Sequence, residues 1–228
     1  MTDEYPAAIC PKCQGKIGHP GHCPKCSSHT GDSIERAIGI AVGIHKGQYR
    51  KGGCKPPYII HSIDVLNTML RWGIVESTLL TATPLHDGIE DGDDKYKVVV
   101  AIDEQCGPVV MAYVWEMTCL PTVDKQTYME SFKTKSVGAL FMKMADRLCN
   151  VKDFYHNKST KEYANKYFRK ADPLFTAFVN RKDECIEKYG EEVWTAAWLE
   201  LKQTALLFNP TWQGMATDDT NHTNHTKE

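Results

Sequence analysis

The stretch LHDGIEDGD at 85–93 concentrates side chains that can bind a cation and move a proton. His86 and Asp87 are adjacent, so within a regular α-helix their side chains point about 100° apart. At the last turn of a helix both can still converge on one ion, through an imidazole nitrogen and a carboxylate oxygen. Glu90 and Asp91 follow one turn later. A lone His-Asp pair is weak evidence, because such dipeptides are common on surfaces. Its company carries more. Upstream stands RKGGCKPPYIIH, running from Arg50 and Lys51 to Tyr58 and His61, and downstream stands MKMADRLCN at 142–150. In the latter segment Val137, Leu140, Phe141, Met144, Leu148 and Val151 repeat as an apolar helical face. Lys143, Asp146 and Asn150 fall at i, i+3 and i+7, a polar stripe on a helix that otherwise wants burial. Taken alone, a solvated face would account for that stripe.

The second chemical signal is a pair of identical knuckles, Cys10-Pro-Lys-Cys13 and Cys23-Pro-Lys-Cys26. Each CxxC turn can point two thiolates at one Zn²⁺, and two turns complete a tetrahedral site. The Gly-rich spacer QGKIGHPGH suits a small ribbon hairpin. His19 and His22 could replace a thiolate, but with four cysteines present they read as bystanders. A segment this short has little core, so metal binding and folding would be one event. Its few lysines, Lys12, Lys16 and Lys25, argue against nucleic acid and favour a scaffold or a protein contact. The remaining five of nine cysteines are scattered, and an odd count within helical patterns does not resemble a secreted disulfide framework.

These groups need elements to hold them. From Asp32 the texture turns helical: Asp32 and Glu35 are spaced as a capping box, and Ala37, Ile38, Ala41, Val42 and His45 repeat on one face. A second helix is expected near Ser62, burying Ile63, Leu66, Met69 and Leu70. A third follows Ser77 towards His86-Asp87, with further helices near 94–105, 108–117, 135–155, 160–188 and 190–207. VVVAI at 98–102 could be a strand, but no partner of similar strength appears, so the body reads as all-α. The expected organisation is a zinc ribbon over 1–30, a helical domain over 31–210 and a polar tail over 211–228. With 27 basic and 29 acidic residues the net charge is −2, which excludes a generally basic nucleic-acid coat. No apolar run approaches the ~20 residues of a membrane span, and the acidic N-terminus does not read as a signal peptide. A soluble, cytoplasmic protein is expected.

The order R-K…PY-x-x-H, then L-H-D-x-x-E-D, then K-x-A-D-R-x-x-N resembles the HD-domain (p)ppGpp hydrolases of the RelA/SpoT type. The eleven-residue step from Arg50 to His61 is most similar to the small stand-alone, animal-type members. HKGQYRK at 45–51 and EQCGPVVMAYVWEMT at 104–118 extend the resemblance, which covers about residues 33–170 and leaves out the knuckles. It implies an HD helical bundle with metal ligands His61, His86, Asp87 and Asp146, and Mn²⁺ as the usual ion. The donor set agrees independently, since two imidazoles and two carboxylates suit Mn, Fe, Zn or Co. It further implies that Glu90 and Asp91 orient and activate water, that Arg50 and Lys51 hold the guanine and nucleotide, and that Asn150 meets the ribose region. Tyr167 matches a pocket aromatic, and Lys143 adds positive charge around a pyrophosphate. His45 is read as packed against the site rather than ligating it.

Two departures stand out. Pro84 lies inside the helix that delivers His86, deletes a backbone donor and should kink the last turn. Thr122 stands where the small members place a phosphate-contacting lysine; Lys125, Lys133 or Lys135 could substitute. The expected activity is (p)ppGpp 3′-pyrophosphate hydrolysis, an activity of the stringent response. An HD hydrolase for a dNTP, a 3′-phosphorylated adenosine nucleotide or NADPH remains open, as does a non-catalytic zinc-ribbon nucleotide sensor.

Overall fold

The computed structural model describes residues 30–51, 55–156, 163, 166–167 and 169–208. The four knuckle cysteines, Cys54 and the polar tail lie outside the described residues. Among the described residues the body is helical, with one isolated antiparallel bridge between Tyr49 and Pro57. No helix there is long and apolar enough to cross a membrane.

Helix α1 spans Thr30–Ile44, so Asp32 falls in its first turn rather than at its cap. Ala37 and Ala41 are buried, as their spacing requires, whereas Val42 is half exposed because the face facing the core is narrower than expected. Helix α2, Ile59–Arg71, starts one turn earlier than Ser62 and buries His61, Ser62, Val65, Leu66 and Met69. Leu70 is exposed instead. Helix α3, Ser77–Ala82, passes into a 3-10 turn at Thr83–Leu85, and a one-turn helix α4 follows at Gly88–Asp91.

VVVAI belongs to helix α5, Lys95–Cys106, where Val98 and Ile102 are buried at i and i+4 and Asp94 caps the N-terminus through Lys97 N–H. Helix α6 covers Pro108–Met117 as expected. The short α7, Lys125–Glu130, is capped by Asp124 and was not legible as a periodic segment. Helix α8, Val137–His156, is the axis of the domain and packs along α2. Its whole expected apolar face is buried, and so are Met142, Ala145 and Cys149 between those positions. Three helices close the bundle, Asp172–Asn180, Lys182–Tyr189 and Glu191–Phe208. They pack an aromatic run against α8: Phe178 lies 5.1 Å from Phe141 edge-on, and Trp194 stacks on Phe178 at 5.8 Å. With α8 buried on nearly every side, Lys143 and Asp146 are buried too. A solvated face does not describe them.

Candidate metal centre

Pro84 explains how two adjacent residues reach one point. Without an N–H at Pro84 the α3 ladder cannot continue, and the chain tightens into the 3-10 turn. The Thr83 carbonyl, turned towards the next residues, accepts His86 N–H at 3.3 Å and His86 Nδ1–H at 2.9 Å. A carbonyl can only accept, so Nδ1 carries the proton and Nε2 is the nitrogen offered to the site. Asp87 then takes φ −96°, ψ −2°, the bridge conformation, before α4 begins. This break in the helix brings His86 Nε2 within 3.0 Å of Asp87 Oδ2. The same turn approaches α5 closely: a Cβ on Gly92 would lie 2.7 Å from Val98 Cγ2 and 2.8 Å from the Gly88 carbonyl oxygen.

His61 enters from the first turn of α2 and Asp146 from the middle of α8. His61 Nε2 lies 3.1 Å from Asp146 Oδ1 and 3.8 Å from Asp87 Oδ2, and His86 Nε2 lies 3.8 Å from Asp146 Oδ1. One donor atom from each of the four residues falls within 4.8 Å of all the others. His86 Nε2 has no hydrogen-bond partner despite its nearness to Asp87. A buried imidazole nitrogen aimed among two carboxylate oxygens and a second imidazole is a geometry that a divalent cation satisfies when it displaces the proton there. The electrostatics point the same way. Burial works against a charged imidazole, yet Asp87 and Asp146 outweigh it and raise the His86 pKa to about 10. Burial likewise opposes the carboxylates, but His86 holds Asp87, and Lys143 with the imidazoles holds Asp146, below the usual carboxylate range. The two carboxylates therefore favour positive charge at this point.

The ligands are themselves buttressed. Tyr58 O–H donates to Asp87 Oδ2 at 2.6 Å. Asn150 Nδ2 donates to Asp146 Oδ1 at 2.6 Å, and Lys143 Nζ sits 2.9 Å from Asp146 Oδ2. Lys143 is therefore committed to a ligand as well as lining the site. Arg50 is placed by the loop between α1 and α2, where Arg50 N–H bonds the Pro56 carbonyl and Tyr58 N–H bonds the Gln48 carbonyl. Its guanidinium donates to Asn150 Oδ1 at 2.6 Å and to Asp153 Oδ2 at 2.9 Å through Nε, and lies over the Tyr58 ring. His45 stacks on the same ring with centroids 4.5 Å apart, and its Nδ1 is 2.8 Å from Gln48 Oε1. It packs against the site and is not in the ligand cluster, as read from the sequence. Lys51 is exposed on the loop.

Glu90 and Asp91 stand one turn past the ligands on α4. Glu90 Oε1 accepts Cys119 N–H at 2.6 Å, and burial pushes its carboxyl pKa up. Asp91 is exposed at the mouth, with its carbonyl accepting Gln48 Nε2. Both line a cleft of ≈ 610 Å³ that opens over Asp87 and Asp146 and is also lined by Lys125, Lys143, Asn150 and Tyr167. Of the three lysines weighed as replacements at Thr122, Lys125 lies on the cleft. Lys133 is exposed, and Lys135 donates to the Glu116 carbonyl over the Tyr128 ring.

The sequence reading gave no role to Tyr58 or Asp153, which hold Asp87 and Arg50. Tyr58 sits three residues before His61, and Asp153 extends the stripe of Asp146 and Asn150 by one more step, so spacing carried a signal for both. The Cys119 amide and the Thr83 carbonyl are backbone groups and leave no mark in side-chain patterns.

Comparison with known proteins bears on the family and the fold. No protein-family model matches the chain. It is 31% identical over 132 residues to the guanosine-3′,5′-bis(diphosphate) 3′-pyrophosphohydrolase MESH1 of Drosophila melanogaster, covering 54% of this chain and 72% of that protein. The Homo sapiens MESH1 is 33% identical over 131 residues, covering 55% of this chain and 70% of the relative. A GTP pyrophosphokinase of Streptomyces coelicolor is 31% identical over 153 residues, 62% of this chain but 17% of that longer protein. Among solved structures, that of a metazoan ortholog of SpoT superposes with a TM-score of 0.62 at 24% identity, covering 76% of this chain and 96% of the other. That likeness establishes the fold.

Proposed function

We propose a reaction from the premise that this chain belongs to the family of guanosine-3′,5′-bis(diphosphate) 3′-pyrophosphohydrolases: hydrolysis of (p)ppGpp at its 3′-ester, releasing GDP or GTP and pyrophosphate. Water oxygen joins the proximal phosphorus of the 3′-pyrophosphate, the P–O3′ bond breaks, and the 3′ oxygen leaves as a hydroxyl. The observation that carries the reading is the four-residue donor cluster at the floor of a cleft, with two acidic side chains one helical turn away. His61, His86, Asp87 and Asp146 would hold the ion, for which Mn²⁺ is our assignment from the family resemblance. When bound, a divalent ion supplies Lewis acidity, acidifying water and neutralising phosphate charge.

The rest is work for the chain's own groups. Glu90 and Asp91 orient the attacking water and accept its proton. Tyr58, Lys143 and Asn150 fix Asp87 and Asp146 by the bonds described above. Arg50 and Lys51 hold the guanine and nucleotide, Asn150 meets the ribose, and Tyr167 packs on the substrate from the opposite wall. A Mn²⁺-supplemented panel of ppGpp, NADPH, dNTPs and 3′-phosphorylated adenosine nucleotides, read by product identity, tests this. GDP and pyrophosphate from ppGpp at the highest kcat/KM are expected; preferential turnover of another member would reassign the substrate.

We further propose that residues 1–30 form a zinc ribbon ahead of the hydrolase domain at 31–210, with the polar tail at 211–228. Cys10, Cys13, Cys23 and Cys26 hold one Zn²⁺, and the ribbon serves as a scaffold or protein contact in a cytoplasmic enzyme. Elemental analysis of the isolated 1–30 peptide refolded with Zn²⁺ should return one zinc. A zinc-free peptide, or a disulfide among these cysteines, would remove the assignment.

A further inference from the structure

Arg147 is a guanidinium on the cleft to which the reaction above gives no work. It follows Asp146 on α8, lies one turn beyond Lys143 and lines the same cleft. Its guanidinium carbon is 4.4 Å from the centroid of the Tyr167 ring. Its Nε is buried with no hydrogen-bond partner, and Nη2 has the Met129 sulfur at 3.7 Å, a weak acceptor. Arg50, Arg71 and Arg181 each pair with a carboxylate; among the described residues Arg147 has no such pair. Arg147 is half-buried, and its buried Nε is a donor left without an acceptor. An anionic ligand entering the cleft would supply that acceptor.

Position on the helix says which part of the ligand. At about 100° per residue, Asp153 and Arg147 mark the two edges of the polar face of α8, with Asp146 and Asn150 between them. Arg50 approaches the Asp153 edge, and Tyr167 stacks on Arg147 at the other. Lys143 is taken up by Asp146. A nucleotide whose base lies by Arg50 and whose reacting phosphorus lies over Asp146 would extend whatever follows that phosphorus towards Arg147. We propose that Arg147, with its fork preset by Tyr167, binds the distal phosphate of the substrate's 3′-pyrophosphate. The site would thereby select a pyrophosphoryl group over a single 3′-phosphate. The planar fork suits phosphate oxygens in a way an ammonium does not. This rests on the hydrolase reading above and sharpens its substrate class.

The test is direct binding of inorganic pyrophosphate and of orthophosphate to the full chain with Mn²⁺, by calorimetry. Wild type is compared with Arg147→Met, Arg147→Lys and Tyr167→Leu. Charge-assisted hydrogen bonds of this kind correspond to an expected loss of about 10–100-fold in pyrophosphate affinity for Arg147→Met. Orthophosphate affinity should change by less than about threefold, since it lacks the distal group. Arg147→Lys should recover only part of the loss, and Tyr167→Leu should weaken pyrophosphate several-fold with the charge intact. Unchanged pyrophosphate affinity in Arg147→Met overturns the inference, and so does an equal loss for both anions. If that variant does not fold, Arg147→Lys decides, because wild-type pyrophosphate affinity there would exclude a role for the fork. The two readings fail differently. Pyrophosphate binding that needs Arg147 in a protein without ppGpp turnover would sink the reaction alone. Turnover of ppGpp with Arg147-independent pyrophosphate binding would sink this inference alone.

Discussion

Asp146→Ala is expected to abolish ion binding at the four-residue cluster while the helical body remains. Asp146 is a carboxylate at the convergence of His61, His86 and Asp87, with Oδ1 3.1 Å from His61 Nε2. Removing it leaves two imidazoles and one carboxylate, and takes away a charge the ion needs. Mn²⁺ content should fall from about one per chain to under about a tenth, and turnover with it. The substitution also strands Lys143, a buried cation whose Nζ sits 2.9 Å from Asp146 Oδ2. Losing one partner of a buried pair typically costs about 3–5 kcal/mol. Leu140, Phe141, Met144 and Leu148 keep α8 in the core, so far-UV circular dichroism should retain its helical signal at a lower unfolding midpoint. Pairing the change with Lys143→Met should recover much of the midpoint and none of the Mn²⁺. Full Mn²⁺ affinity and activity in Asp146→Ala would reduce Asp146 to a structural partner of Lys143.

Glu90→Gln and Asp91→Asn are expected to keep metal and substrate but lose about 10²–10⁴-fold in turnover, the usual worth of general acid–base catalysis. Both side chains line the cleft one turn beyond His86 and Asp87, outside the cluster of donor atoms. An amide keeps size and hydrogen-bonding reach but is not basic. Glu90 is the better probe of the two. Its Oε1 already accepts the Cys119 amide proton at 2.6 Å, a bond that glutamine Oε1 can keep, so the pocket should not rearrange. Metal affinity should change little, because outlying partners usually matter less than a ligand. The competing account is that Glu90 only anchors Cys119 and that Asp91-Gly92 only ends α4. That account requires near-wild-type single-turnover rates on Mn²⁺-loaded protein. Such rates would leave the cleft a nucleotide-binding module without this proton-transfer chemistry.

Part of this protein is legible in its sequence alone. Helical periodicity is local, so α5, α6 and α8 could be placed from the spacing of apolar residues, and VVVAI without a partner strand resolved as helix. The His-Asp pair, the acidic pair one turn on and the stripe of Lys143, Asp146 and Asn150 were visible for the same reason. Tertiary structure decided where those residues stand and what surrounds them. A stripe such as Lys143, Asp146 and Asn150 reads as solvated until α2 and the C-terminal helices cover α8 and bury it. His61 and Asp146 are separated by 85 residues, and only the packing of α2 on α8 brings them to 3.1 Å. The proline expected to kink the His86 helix ends it instead, through a 3-10 turn whose carbonyl fixes the histidine tautomer. Arg147 shows the same division: the sequence places a cation beside a carboxylate, and whether that cation is already paired depends on side chains that folding brings around it.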